Sequence, residues 1–207
     1  MKLSVYKLLL IALFGLSGAC GPVKTPVAHN YTLALSPYKH HVKKALPFTL
    51  LISKPEAMAG YRTSQMLYLK KPYAIEPFAK NAWESPPANM LYPLLVKRFQ
   101  TSRGFKAISS SPYADKADYR PDTQLIDLYQ DFSSTKSYIK FTAKIALTRV
   151  TDYHVLASKL VTKTVPCPQN TPYGGVLAAN QAVSVFTEEA LNFALKEIQL
   201  DDAGPKT

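Results

Sequence analysis

Apolar and polar residues alternate most regularly over Tyr138–Thr151. There Ile139, Phe141, Ala143, Ile145 and Leu147 share one side, and Lys140, Thr142, Lys144 and Thr148 share the other. A period of two predicts a strand with one face on a core and one in water. Two further strand-like segments flank it. Gln124–Phe132 carries Ile126, Leu128 and Phe132 on one face, and Val155–Val165 follows a polar turn around Asp152. The three are expected to pair as an antiparallel set. Shorter β-rich runs precede them at Tyr31–Leu35, Phe48–Ile52, Met66–Leu69, Tyr73–Phe78 and Phe105–Ile108. Pro72 and Pro77 place Tyr73–Phe78 at an edge or a bend, because proline cannot donate to a sheet ladder.

The period lengthens to that of a helix in two places. Ser85-Pro86-Pro87 reads as a helix entrance, with Ser85 as cap and Pro86 in the first turn, and the helix is expected to run to about Arg103. Leu91, Leu95 and Phe99 recur every four residues beside Met90 and Leu94. Pro93 predicts a kink or a later start, and Gly104 a left-handed terminator. The longer helix is expected from Val176 to Gln199. Its stripe is Val176, Ala179, Val183, Phe186, Ala190 and Phe193, with both phenylalanines packed on the antiparallel strands. The elements add up to an α/β fold: a mixed, largely antiparallel sheet packed by two main helices in a single compact domain.

The first twenty residues follow neither pattern. Lys2 and Lys7 precede an apolar run, Leu8–Leu16, then Ser17-Gly18-Ala19 and Cys20. That is the layout of a secretory signal. The cysteine gives it the form of a bacterial lipoprotein signal, cut between Ala19 and Cys20 with lipid on Cys20. The apolar run would span only ~14 Å as a helix, against a hydrocarbon core of ~30 Å. Ser17 departs from the aliphatic residue usual at that place, and an ordinary cleaved signal with a chance cysteine is the alternative reading. The chain then divides into a signal peptide (1–19), a lipidated tether (20–30), one domain (31–200) and a flexible polar tail (201–207). A diacylated cysteine anchors stably where a single chain would be marginal. Gly21, in place of an aspartate, leaves the periplasmic face of the outer membrane as the expected location.

Charge and chemistry narrow the function. Lysine and arginine number 25 against 14 acids, a net of +11, and removal of Lys2 and Lys7 leaves +9. Export argues against nucleic acid as the partner of this basic chain, and no zinc-finger spacing or RNA-binding aromatic motif is present. The densest basic group, Lys39-His40-His41-Val42-Lys43-Lys44, suits anionic headgroups or an acidic partner. With Cys20 lipidated, Cys167 has no disulfide partner, and nothing near it in sequence would activate it as a nucleophile. There is no GxSxG, HExxH or phosphate-binding glycine loop. His29, His40, His41 and His154 lack neighbours at metal-ligand spacing, and no pair of carboxylates suggests acid–base work. No catalytic residue, metal site or cofactor is expected, and the chain reads as a non-enzyme. Its thirteen tyrosines are more informative. Several lie in polar or proline-flanked segments, where a flat apolar ring with a polar tip suits an interface or the closing edge of a small sheet. Tyr61, Arg62, Tyr73, Tyr119, Arg120 and Tyr173 are the candidate partner-binding residues.

Many residues also resemble one family. They include Tyr61-Arg62, Met66-Leu67-Tyr68, Lys71-Pro72-Tyr73, Phe78-Ala79, Ala82-Trp83, Pro86-Pro87-Ala88 and Met90-Leu91. Further on are Asp118-Tyr119-Arg120, Gln124-Leu125, Gln130-Asp131-Phe132, Thr171-Pro172-Tyr173-Gly174-Gly175-Val176 and Ala179-Asn180. Together they resemble the ABC-type transport auxiliary lipoproteins, the PqiC-like components of MCE-type intermembrane lipid transport systems. The resemblance implies an α/β fold and a non-enzymatic role. It implies docking of an MCE-domain periplasmic protein at the outer membrane, so that lipid passes between membranes on behalf of an ABC transporter whose ATPase is another chain. Self-association into a homo-oligomer stays open. The competing readings are a structural lipoprotein of another envelope assembly and an exported hydrolase with an unrecognised site.

The lipoprotein reading predicts acyl mass on a peptide beginning at Cys20. Cys20→Ser with the signal retained should escape processing by the lipoprotein route. An unmodified Cys20, or a mature N-terminus elsewhere, in mass spectra of the membrane-bound form would overturn it.

Overall fold

The computed structural model describes residues 29–37, 42, 44–110 and 117–204. Ala19, Cys20, most of the tether, Lys39-His40-His41 and Tyr113 lie outside them. The sheet is organised on β7 (Tyr119–Asp131), which is paired along both edges. One edge carries β8 (Tyr138–Arg149) antiparallel along the whole length, from Tyr119↔Arg149 to Asp131↔Tyr138, and β9 (His154–Pro166) pairs antiparallel outside β8. The other edge is shared by three shorter strands, all parallel to β7. These are β2 (Leu46–Ile52) near its start, β3 (Glu56–Ala57) at its middle and β4 (Gln65–Lys71) at its end. β5 (Ala74–Trp83) folds back on β4, β1 (His29–Tyr31) lies parallel outside β5, and β6 (Phe105–Ser110) lies parallel outside β2. The sheet is thus mixed, and its longest ladders are antiparallel.

β7 departs from a simple alternation. Its register shifts between Leu125 and Asp127. The inward positions Tyr119, Thr123 and Leu125 therefore continue as Leu128 and Gln130. A bulge places one extra residue on one strand and reverses the phase of everything after it. Ile126, expected on the inner face with Leu128, is only partly buried for that reason; Phe132, expected there too, lies past the end of β7 and is also only partly buried. In β8 the alternation holds, and Ile139, Phe141, Ala143, Ile145 and Leu147 are all buried.

Two helices cover the inner face. α1 (Pro87–Ser102) starts without a side-chain cap, Ser85 included, and runs through Pro93, which is exposed. Its left-handed terminal residue is Arg103, with φ 54°, and not Gly104. Gly104 answers a space constraint instead: a Cβ there would stand 3.1 Å from both Leu195 and Val42. α2 (Pro172–Asp202) begins a turn earlier than its apolar stripe implies. Thr171 caps it, its hydroxyl accepting from the Gly174 N–H at 3.1 Å, and Pro172 takes the first turn, where its missing donor is harmless. Ala178, Ala179, Ala182, Ala190 and Ala194 are fully buried, so the helix backbone approaches the sheet closely, and Phe186 meets Phe141 at 5.2 Å between ring centroids. Phe193 lies at the margin and is only partly buried, because the stripe drifts outward over so long a helix.

Both ends of the domain differ from a reading by pattern alone. The expected strand Tyr31–Leu35 is mostly a strap across α2. The Ala34 N–H donates to Asn180 Oδ1 at 3.0 Å and the Ser36 N–H to Ser184 Oγ at 2.9 Å, while Leu33 is buried. Its backbone finds helix side chains in place of a sheet neighbour. Asp201 and Asp202, assigned by pattern to the tail, belong to α2. Arg149 reaches Asp201 at 2.7 Å and the Tyr119 hydroxyl donates to it at 2.8 Å, which holds the last turn on the sheet.

Burial sorts the two phenylalanines. Phe186→Ala at a fully buried site should cost ~3–5 kcal/mol in urea unfolding, and Phe193→Ala markedly less. Equal losses would show that the helix packs in another rotation.

Candidate functional site

Strand directions define two ends of the molecule. β4 runs with β7, β5 runs against it and β1 runs with β5. The chain therefore comes in at the end of the sheet where β7 finishes. The turn of the β4–β5 hairpin, the start of α2 and the end of β9 lie at this tether pole; the β8–β9 turn and the end of α2 lie at the far pole.

At the tether pole, Pro72 and Tyr73 turn the β4–β5 hairpin. Tyr73 has φ 65° and is 103% exposed. Proline presets the first turn position, and the second, with positive φ, favours glycine or asparagine. A side chain there costs about 1–2 kcal/mol, and a fully exposed ring gains no internal contact in exchange. Behind the turn, Tyr68, Phe78 and Phe132 form a cluster, with Tyr68–Phe78 centroids at 4.6 Å and Phe132 at 6.2 Å from each. Lys70 Nζ lies 5.3 Å from the Tyr68 ring centre, and the Tyr68 hydroxyl donates to Glu76 at 2.6 Å. Tyr173, in the first turn of α2, stands 6.1 Å from Tyr31, whose hydroxyl donates to Asn81. A shallow groove of about 550 Å³ opens beside them, lined by Lys136, Cys167, Asn170, Leu177 and Gln181 among others. Cys167 is buried there, and desolvation raises its thiol pKa despite hydrogen bonds with Ser137 and Gln130 that act the other way. That is the opposite of what an activated nucleophile needs.

The far pole carries a second exposed tyrosine, Tyr153, at φ 57° in the β8–β9 turn, with Val155 beside it; they are 74% and 56% exposed. Arg149 ties this turn down through Asp152 at 2.8 Å as well as Asp201. The Arg149 guanidinium, with the His154 backbone N–H, lowers the Asp152 carboxyl pKa to about 2.

The six candidate residues do not converge. Tyr73 and Tyr173 are at the tether pole, and Tyr173 lies inside α2, ahead of the start expected at Val176. Arg120 lies toward the far pole on the helix-free face, paired with Asp122 at 3.0 Å. Tyr61 and Arg62 sit along the β3–β4 connection, where the Tyr61 hydroxyl donates to Asp127 at 3.2 Å and Arg62 Nε donates to the Ala57 carbonyl at 3.0 Å. Tyr119 is a core residue, only 4% exposed, with its ring against Phe48 and its hydroxyl on Asp201, so it offers little surface. Its polar neighbours in sequence gave no sign that β7 starts there and points it inward. Tyr153 and Val155 were not singled out; the signal available was Thr151-Asp152-Tyr153, a turn between two alternating strands. Among the described residues no group of three His, Cys, Asp or Glu side chains could hold a metal ion, and no helix is long and apolar enough to cross a membrane.

This is a single α/β domain with a mixed nine-stranded sheet and two helices on one face. The chain belongs to the family described as the ABC-type transport auxiliary lipoprotein component, whose family model matches residues 31–190. Its fold is similar to that of protein XCC0632 from Xanthomonas campestris, at 20% identity and TM-score 0.71, covering 86% of this chain and 99% of that one. A second crystal structure, of an uncharacterized protein, is similar at 11% identity and TM-score 0.62, covering 82% and 98%. No curated protein matches the chain significantly.

Two phenols should titrate late. Burial foremost, and then Asp127 beside Tyr61 and Asp201 beside Tyr119, raise both pKa values well above the usual 10. The folded state thus holds these protons more tightly than the unfolded chain. Their contribution to stability is whole below about pH 10 and is lost as pH rises through the folded values. Absorbance titration of tyrosinate should show a late-ionising class that shrinks in Tyr119→Phe; an unchanged late class would refute the assignment.

Proposed function

We propose that this protein is an outer-membrane-anchored periplasmic lipoprotein that docks an MCE-type subunit of an ABC lipid transporter and supports lipid transport between the two membranes. The family match over residues 31–190 is the observation that carries the reading. The lipoprotein-type start at Gly18-Ala19-Cys20 supports the anchor. The domain acts by binding, with no turnover of its own: its one described cysteine is buried, and Asp122, Glu189 and Asp201 are engaged in structural ion pairs.

With the lipid at one pole, a partner arriving from the opposite membrane meets the far pole. Tyr153 and Val155 are exposed there, and Arg120 borders it on the helix-free face. An exposed aromatic beside an arginine is the composition of an interface anchor.

Affinity purification of the full-length protein from detergent-solubilised envelopes should recover an MCE-domain subunit. Tyr153→Ala or Arg120→Ala should weaken that complex by ~2 kcal/mol, about 30-fold, while leaving thermal unfolding unchanged. Recovery of a different envelope assembly, with no transporter subunit, would favour a structural lipoprotein instead.

A further inference from the structure

We propose that the β4–β5 hairpin turn is a membrane-contact site, which lays Tyr73 and Ile75 into the headgroup layer of an anionic lipid surface with Lys70 and Lys71 on the headgroups. The proposal goes beyond the lipid anchor and rests on lipidation at Cys20.

Direction comes first. β1 is parallel to β5, with His29 opposite Asn81 and Tyr31 opposite Trp83. Going back along the chain from His29 leads toward Ala74, so the tether leaves the domain pointing the way the hairpin turn points. Length comes second. β5 is bulged against β4: Ala74 lies opposite Lys71 but Ala82 opposite Gln65, so Asn81 stands about five strand rises from the turn, and the hairpin projects ~17 Å past the register of His29 at ~3.3 Å per residue. Nine residue steps separate Cys20 from His29, a reach of at most ~32 Å. A fully straight tether leaves the turn ~15 Å from the level of the anchored cysteine, and slack brings it closer. The far pole has no such access, since β7 alone, with 13 residues, sets it ~40 Å away.

The chemistry of the turn suits that position. Tyr73 is fully exposed and Ile75 is 45% exposed. Tyrosine concentrates at membrane–water interfaces because its ring is apolar and its hydroxyl is wet. Over Gln65–Trp83 the hairpin carries Lys70, Lys71 and Lys80 against one acid, Glu76, which the Tyr68 hydroxyl already engages. Basic residues next to a membrane are attracted to anionic lipid within a Debye length. The conformation adds an independent observation. A bulky residue is held at positive φ with its ring in water, and strain of that kind concentrates where a surface is used.

The test uses the full-length acylated protein in vesicles of phosphatidylethanolamine and phosphatidylglycerol. An environment-sensitive fluorophore is placed at Tyr73→Cys and, as a control, at Tyr153→Cys. The label at 73 should shift to the blue and be quenched by lipids brominated near the headgroup, while the label at 153 stays water-like. Lys70→Glu with Lys71→Glu should at least halve the quenching at 73. In the unsubstituted protein, amide exchange over residues 70–76 should slow on vesicles relative to detergent and stay unchanged over 151–155. If Cys20 carries its acyl mass and the label at 73 is as water-exposed as that at 153, the proposal is overturned and the anchor stands. If Cys20 is unacylated, the anchor fails and the proposal fails with it.

Discussion

The pairing of β7 along both edges is the constraint on which the rest of the molecule depends. A buried strand must satisfy its N–H and C=O groups on both sides. β8 does this along one edge. On the other edge no single strand does, and β2, β3 and β4 share the task in sequence. Asp118 reinforces the first junction, accepting the Thr49 N–H at 2.7 Å on its carboxylate and donating its own N–H to the Thr49 carbonyl at 2.8 Å. Because β2 and β4 each carry strands beyond them, the placement of β1, β5 and β6 follows from this one edge.

The second requirement is a close helix. α2 meets β7, β8 and β9 through alanines and one deeply placed phenylalanine, so its backbone sits near the sheet. Electrostatics secures the margins of that contact. Glu189 receives Lys159 and Lys163 from β9, and Asp201 receives Arg149 from β8. Partly exposed pairs of this kind contribute little to stability individually. Their effect is to set how the helix lies on the strands, and thereby which residues of β8 and β9 are left at the far pole.

This arrangement gives the domain a polarity that suits the docking role proposed for it. The chain enters, the β4–β5 hairpin projects and α2 begins at one end, whereas α2 finishes beside the β8–β9 turn at the other. The β4–β5 and β8–β9 turns each present a tyrosine in the left-handed region. One is flanked by lysines, and the other stands beside an arginine–aspartate clamp. A similar local device thus faces two different surroundings because strand direction carries the turns to opposite ends.

By itself the sequence determined the elements whose periodicity is long and uninterrupted. The inner face of β8, the stripe of α1 and the presence of β9 and of the last helix follow from side-chain pattern, since a one-residue error would turn each apolar set toward water. Family membership was legible in scattered motifs, because they mark turns, caps and close approaches that the fold needs. Thr171-Pro172 belonged to that class, although the apolar stripe alone placed the helix start too late. Only the tertiary structure decided the rest. The bulge at Ile126 reverses the phase of β7 for a reason that lies in its pairing. Ala34 and Ser36 bond to α2 and not to a strand because a helix 146 residues or more away in sequence is their neighbour. Tyr119 and Tyr73 are both tyrosines in polar surroundings, yet one is buried on Asp201 and the other stands free at a turn. That difference depends on which residues the sheet brings alongside, which local composition does not encode.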